Sequence, residues 1–194
     1  MTRDNYNLTW RVRPAARSDL DPIVDLLLRA RRQAIPAIPA PAHTDDEVGR
    51  WFADVVLPER DVQVVVDPDR SVLGVLVLDD SWVDQLYVDP HHLGKGIGSR
   101  LLSVARERSP EGLQLWTFAT NHRARNFYEQ HGFVITDRTD GSRNEERPPT
   151  SSTAGRSGEP VPTASPTRSV TCSVPETNPT ASPARQSSRR YVSW

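Results

Sequence analysis

Apolar and polar residues alternate from Leu8 to Arg13, and the run ends at Pro14. A period of two predicts a half-buried strand. Ser18 followed by Asp21 reads as a capping box, with Pro22 still in the first turn. Ile23, Val24, Leu26, Leu27 and Leu28 then predict a helix with a broad apolar face. The three prolines between Ile35 and Ala42 require a loop. Thr44 and Glu47 form a second capping box. Val48, Trp51, Phe52 and Val55 follow on one helical face, and Pro58 is read as its end. Three strands are expected next, at 62–66, 72–78 and 82–88, the first two joined by the turn Asp67-Pro68-Asp69-Arg70. After a glycine-rich turn, Ile97, Leu101, Leu102 and Ala105 predict a helix to about Arg108. Leu113 to Phe118 is a strand. Asn121 caps a helix carrying Ala124, Phe127 and Tyr128, with His131 at the edge of that face. Gly132 stops the helix, and a strand begins at Phe133. The order β-α-α-β-β-β-α-β-α-β argues for an α/β protein with helices packed on a mixed sheet.

Composition divides the chain. Apolar residues are 36% of the whole, but the large ones are concentrated before Arg147. From Pro148 to Trp194, 25 of 47 residues are Pro, Ser or Thr, a composition that predicts disorder. The expected division is a folded domain over 8–147 and a tail over 148–194. The last five residues, Arg190 to Trp194, alternate and are read as a docked final strand across a long insertion, which loop entropy permits. The alternative is that this strand is absent. Asp140-Gly141 suggests a turn before the tail. The tail carries five Arg against two acidic residues, so the chain's net −1 leaves an acidic body. That charge argues against nucleic acid as a partner. Cys172 is the only cysteine, so no internal disulfide is available. No apolar run is long enough to span a membrane, and no signal-peptide pattern opens the chain, so a cytoplasmic protein is expected.

The chemistry centres on Gly94-Lys95-Gly96-Ile97-Gly98-Ser99, set between a strand and a helix. Free N–H groups and the dipole at a helix start favour an anion, and glycine lets the backbone curl around it. The spacing is not that of the dinucleotide fingerprint, and no P-loop is present. No paired Cys/His spacing indicates a metal. Taken by itself, such a turn is also compatible with a plain tight turn.

The strand before the turn, the turn, and the segment Asn121-x-x-Ala124-x-x-Phe127-Tyr128-Glu129-x-x-Gly132-Phe133 together resemble the GCN5-related N-acetyltransferase (GNAT) superfamily, over about Leu8 to Arg138. The resemblance implies the GNAT fold: a mixed, mostly antiparallel sheet of six or seven strands flanked by about four helices. It implies acetyl-CoA as cosubstrate, with its pyrophosphate on Gly94, Lys95, Gly96, Ile97, Gly98 and Ser99. Its pantetheine arm would lie along the backbone of Leu86, Tyr87 and Val88. One departure weakens this motif: His91, or Leu93 in a shifted reading, stands where the family has Gln or Arg.

Residue roles follow from the same resemblance. Tyr128 is the expected general acid for the leaving thiolate, since a phenol with an ordinary pKa near ~10 keeps its proton at neutral pH. A plain core tyrosine is the alternative. Asn121 is a helix cap and, with Asn126, a candidate cofactor contact. Leu86 and Val88 also read as ordinary core. The general base is open between Asp84, which by parity shares a face with Trp82, Leu86 and Val88, and His43, Glu47 or a water chain. His43 and Glu47 border the expected acceptor site. The acceptor is a primary amine on a small molecule or peptide, and a homodimer is compatible with the reading. The rival function is a non-catalytic acyl-CoA-binding or interaction module on the same scaffold.

Overall fold

The structure, a computed structural model, describes residues 10–139 and 169–173. Seven strands form one sheet in the order β1-β2-β3-β4-β5-β7-β6. The strands are β1 (Arg11–Pro14), β2 (Asp61–Val66), β3 (Val72–Asp79), β4 (Trp82–Val88), β5 (Gln114–Phe118), β6 (Val134–Thr139) and β7 (Ser169–Ser173). All neighbours are antiparallel except β4 and β5. Helix α1 is Leu20–Ala34 and α2 is Asp45–Trp51. The latter runs through a π-helical turn, Phe52–Val56, into the short α3 (Leu57–Glu59). Helices α4 (Ile97–Arg108) and α5 (His122–Gln130) complete the set, giving four helical rods.

Each face of the sheet buries its own core. On one face Ile23, Leu26 and Leu27 of α1 and Val48, Phe52 and Val56 of the second rod pack on Val64, Val75 and Val77. On the other, Ile97, Leu101, Leu102 and Ala105 of α4 pack on Val65, Leu76, Leu78 and Leu115, with Tyr128 and Phe133 at the α5 end. The i, i+3, i+4 spacing of the apolar positions is what turns one stripe of each helix inward.

Several local expectations change. The Ser18–Asp21 box is replaced by a 3₁₀ turn, Arg17–Asp19. Asp19 is held there by Arg13 at 2.6 and 2.8 Å and accepts from the Ala16 N–H at 2.7 Å. The Thr44–Glu47 box is present, with its two reciprocal backbone bonds at 3.3 and 2.8 Å. Pro58 does not end its helix. In the π turn the Leu57 N–H reaches the Phe52 carbonyl, so the chain turns on to Glu59. The wider turn also brings Val56, rather than Val55, into the core.

The final strand also differs. Ser169–Ser173, inside the segment expected to be disordered, pairs antiparallel with β5 on one side and β6 on the other. The position assigned from sequence to Arg190–Trp194 is thus taken by an earlier stretch, while Arg190–Trp194 and Asp140-Gly141 lie outside the described residues. The recruited stretch, Ser-Val-Thr-Cys-Ser, alternates and carries β-branched residues suited to a pleated ladder. No helix among the described residues is long and apolar enough to cross a membrane.

Candidate active site

Two features of β4 define the site. The first is its pairing. Along β3 it is matched from Trp82 to Val88. Along β5 it is matched only at Trp82↔Gln114 and Val83↔Leu115. Beyond Val83 the strands separate, and an open V runs beside Leu86, Tyr87 and Val88 toward the glycine turn. The second is a bulge. Leu78 is opposite Val83 and Val77 is opposite Gln85, so Asp84 is the extra residue.

The bulge corrects the parity argument for Asp84. Val83, not Asp84, joins Leu86 and Val88 in the core beneath α4. Asp84 sits instead at the vertex of the V, with its side chain exposed. Lost hydration raises its carboxyl above the ordinary range, against the opposing pull of Arg60. Near this vertex Trp82 stacks on Trp116, with centroids 6.3 Å apart at 15°. Neither ring belongs to either core.

At the other end of β4, Asp89 is buried and organises the entry to the turn. It accepts from Arg29 of α1 at 2.9 Å and from the His91 N–H at 2.8 Å, with the His92 ring at 3.5 Å. Burial pushes its carboxyl up. The His91 N–H, Arg29 and His92 more than offset this, so the net shift is downward. Gly94 and Gly96 then take φ of +77° and +80°. An added Cβ at either would meet nothing within 4 Å, so the hollow is open on that side. Gly96 precedes α4 with no side chain capping it. The first helical N–H groups are thus offered to a ligand rather than to a side chain, which is what a pyrophosphate requires. Lys95 and His91 stand exposed at the rim.

Helix α5 closes the far side of the hollow. Asn121 caps it, accepting from the Ala124 N–H at 3.1 Å. Asn126 is exposed. Tyr128 is 8% exposed, between Phe127 at 5.3 Å and Phe133 at 5.6 Å. Phe127 reaches α4 so closely that a Cβ on Gly98 would lie 3.2 Å from its Cζ. His131 reaches α4 as well, with Nε2 2.9 Å from the Ser99 hydroxyl.

The loop after α1 is tied to the same region. The Thr120 hydroxyl donates to the Ala37 carbonyl at 2.7 Å, drawing the proline-rich loop to the end of β5. Glu47 is less suited to acid–base work than the sequence suggests. Its carboxylate is engaged by the Thr44 N–H and hydroxyl, which lower its pKa, and His43 is 4.0 Å away. Two clefts of about 260 Å³ lie elsewhere, one at the β3–β4 turn beside Asp79 and Asp80, the other beside Ala15 and Leu57. Neither touches the glycine turn.

The structure sets the open β4 edge next to the glycine turn and the start of α4, and α5 packs on α4 through Phe127 and His131. Asp84 lies at the inner end of that edge. His43 and Glu47 belong to the loop side. Sequence reasoning missed Asp89, Trp116 and the pairing of His131 with Ser99. Only Asp89 had a local signal, its place before Pro90 at a strand end.

The family described as an acetyltransferase (GNAT) domain matches residues 54–135, from the second helical rod to β6. Over that segment the chain resembles the GCN5-related N-acetyltransferase superfamily. It is 29% identical over 133 residues to an uncharacterized N-acetyltransferase of Archaeoglobus fulgidus, covering 60% of this chain and 88% of that one. It is also 29% identical over 133 residues to the peptidyl-lysine N-acetyltransferase YiaC of Escherichia coli, covering 65% and 84%. In three dimensions it matches yncA, a putative acetyltransferase of Salmonella typhimurium solved with its cofactor acetyl-CoA. There the TM-score is 0.61 at 18% identity, covering 91% of this chain and 98% of that one.

Proposed function

We propose that this GNAT domain transfers an acetyl group from acetyl-CoA to a primary amine, by direct attack within a ternary complex. The observation that carries the reading is the open V between β4 and β5, which leads from the bulge at Asp84 to an uncapped helix start behind Gly94 and Gly96.

Acetyl-CoA supplies the activated thioester. The backbone donors from Gly96 to Ser99 hold its pyrophosphate, with charge added by Lys95. The edge of β4 at Leu86, Tyr87 and Val88 accepts an extended arm as an added strand. A β4 N–H near the bulge stabilises developing negative charge on the carbonyl oxygen. Asp84, whose carboxyl is raised by lost hydration, takes the proton the amine must lose. Tyr128 gives its proton to the departing thiolate, and its burial between two phenylalanines keeps that phenol away from bulk water. The acceptor enters by the loop 35–43, past His43 and Glu47. Because one relative is named for peptidyl-lysine, a lysine side chain in a peptide is the first acceptor to test.

Calorimetric titration with acetyl-CoA tests the first half of the reading. No detectable binding at millimolar ligand sinks it. Thiol release in the presence of peptide and small-molecule amines tests the second half. The rival is a non-catalytic acyl-CoA-binding module on the same scaffold. Tight binding without turnover on any amine would decide for that module.

A further inference from the structure

His131 closes the end of α5 and reaches back to the first turn of α4. Its Nδ1 lies 2.7 Å from the Phe127 carbonyl oxygen, one helical turn earlier, and its Nε2 lies 2.9 Å from the Ser99 hydroxyl. A carbonyl oxygen only accepts, so Nδ1 carries a ring proton. In a neutral ring Nε2 is then an acceptor, and the Ser99 hydroxyl must donate to it. The only proton on that hydroxyl is therefore turned toward α5. The packing holds it there. The Phe127 ring lies 4.4 Å from the imidazole and presses on Gly98, next to Ser99. Arg106 of α4 donates to the His131 carbonyl.

A pyrophosphate oxygen is an acceptor and needs a donor. If Ser99 swings its proton to such an oxygen, Nε2 loses its partner. The partner is restored when the ring gains a second proton and donates from Nε2 to the Ser99 oxygen. We propose that His131 is a positioning residue for the pyrophosphate: it orients Ser99, and it takes up a proton from solvent as Ser99 turns its own toward the ligand. One N–H bond forms at Nε2, and no bond in the ligand changes.

This inference rests on the acetyl-CoA reading above. On α4, Arg106 donates to the His131 carbonyl, and Arg100 is paired with Glu107 at 3.3 Å. On α5, Arg125 is paired with Glu129 at 3.7 Å. The same helix carries Tyr128, so the arrangement ties the phosphate cradle to the proposed acid.

Calorimetric titration of the full chain with coenzyme A, in buffers of different ionisation enthalpy near pH 7, counts the protons taken up. Wild type should take up more protons than His131→Gln, by up to one per site, because the amide can bond Ser99 but cannot gain a proton. His131→Ala should bind coenzyme A about 3- to 30-fold more weakly. Ser99→Ala should lose the same proton, and the double variant should bind no worse than the weaker single variant. Equal proton counts in wild type and His131→Gln overturn the proposal, as do additive losses in the double variant. If His131→Ala does not fold, His131→Gln and Ser99→Ala carry the test. Failure of the wild type to bind coenzyme A overturns the acetyl-CoA reading instead.

Discussion

The two edges of β4 are treated differently. Its β3 edge is paired from end to end, through a bulge, and backed on both faces by core. Its β5 edge is paired at two positions and then opens. The closed edge gives the strand its place, while along the other edge the ladder to β5 stops after Val83. Rigidity on one side holds the strand where it parts from its neighbour on the other, and the proposed chemistry sits on the second.

The sharpest way to break this contrast is to spoil the end of the open edge. Gly96→Val places a β-branched residue at φ +80° and puts side-chain atoms into the open hollow. Coenzyme A affinity should fall by at least about 100-fold, a loss of roughly 3 kcal/mol combining backbone strain with a blocked cradle. Titration calorimetry measures it. Near-normal binding would mean that the turn is structural and the ligand lies elsewhere.

Next in size is the proposed acid. Tyr128→Phe should lower kcat by about 10- to 1,000-fold while changing acetyl-CoA affinity by less than about threefold. An unchanged kcat removes Tyr128 from the mechanism. A matched fall in affinity and stability would make it a core residue only.

The closed edge has its own test. Gly74 is paired with Val88, and a Cβ there would lie 2.8 Å from Ile97 Cγ2 and 3.1 Å from Leu101 Cδ1. Gly74→Val overfills a packed core and should destabilise the fold by about 1–3 kcal/mol, read from denaturant titration. The effect should appear first in stability, whereas Gly96→Val should appear first in binding. If both substitutions act alike, the two edges are not functionally distinct.

Most of the architecture could be read from residue patterns, because helices and strands announce themselves by the period of their buried positions. The Thr44 box, the Asn121 cap and the Gly132 stop are local signals and appear where expected. What could not be read was set by non-local pairing. The extra residue at Asp84 is defined only against β3, so parity counted along β4 alone missed that Val83 joins Leu86 and Val88. The last strand is chosen by two neighbours, β5 and β6, from a segment whose composition points to disorder. His131 and Ser99 are 32 residues apart and meet only because α5 packs on α4. The glycine turn was legible because its chemistry needs a contiguous stretch of backbone. The proposed acceptor side was not, since it combines a loop, a bulge and the end of β5.

The smallest effect separates the two carboxylates at the ends of β4. Asp89 is hydrogen-bonded and held low, while partial loss of hydration holds Asp84 at the vertex high. Linkage gives them opposite signs. Asp89 in the folded chain gives up its proton more readily than in the unfolded chain. Its contribution is therefore present above the ordinary carboxylate range and is lost as pH falls through the lowered folded value. Asp84 holds its proton more tightly when folded, so its contribution is greatest at acid pH and declines as pH rises through the raised folded value. The stability difference between wild type and Asp89→Asn should therefore widen with rising pH, toward about 1–2 kcal/mol. The difference between wild type and Asp84→Asn should shift the opposite way, with the variant gaining on wild type as pH rises. Denaturant titrations at several pH values across the carboxylate range read both. Parallel pH trends in the two variants would show that the Asp84 carboxyl is not raised on folding, and Asp84 would lose its claim as the base.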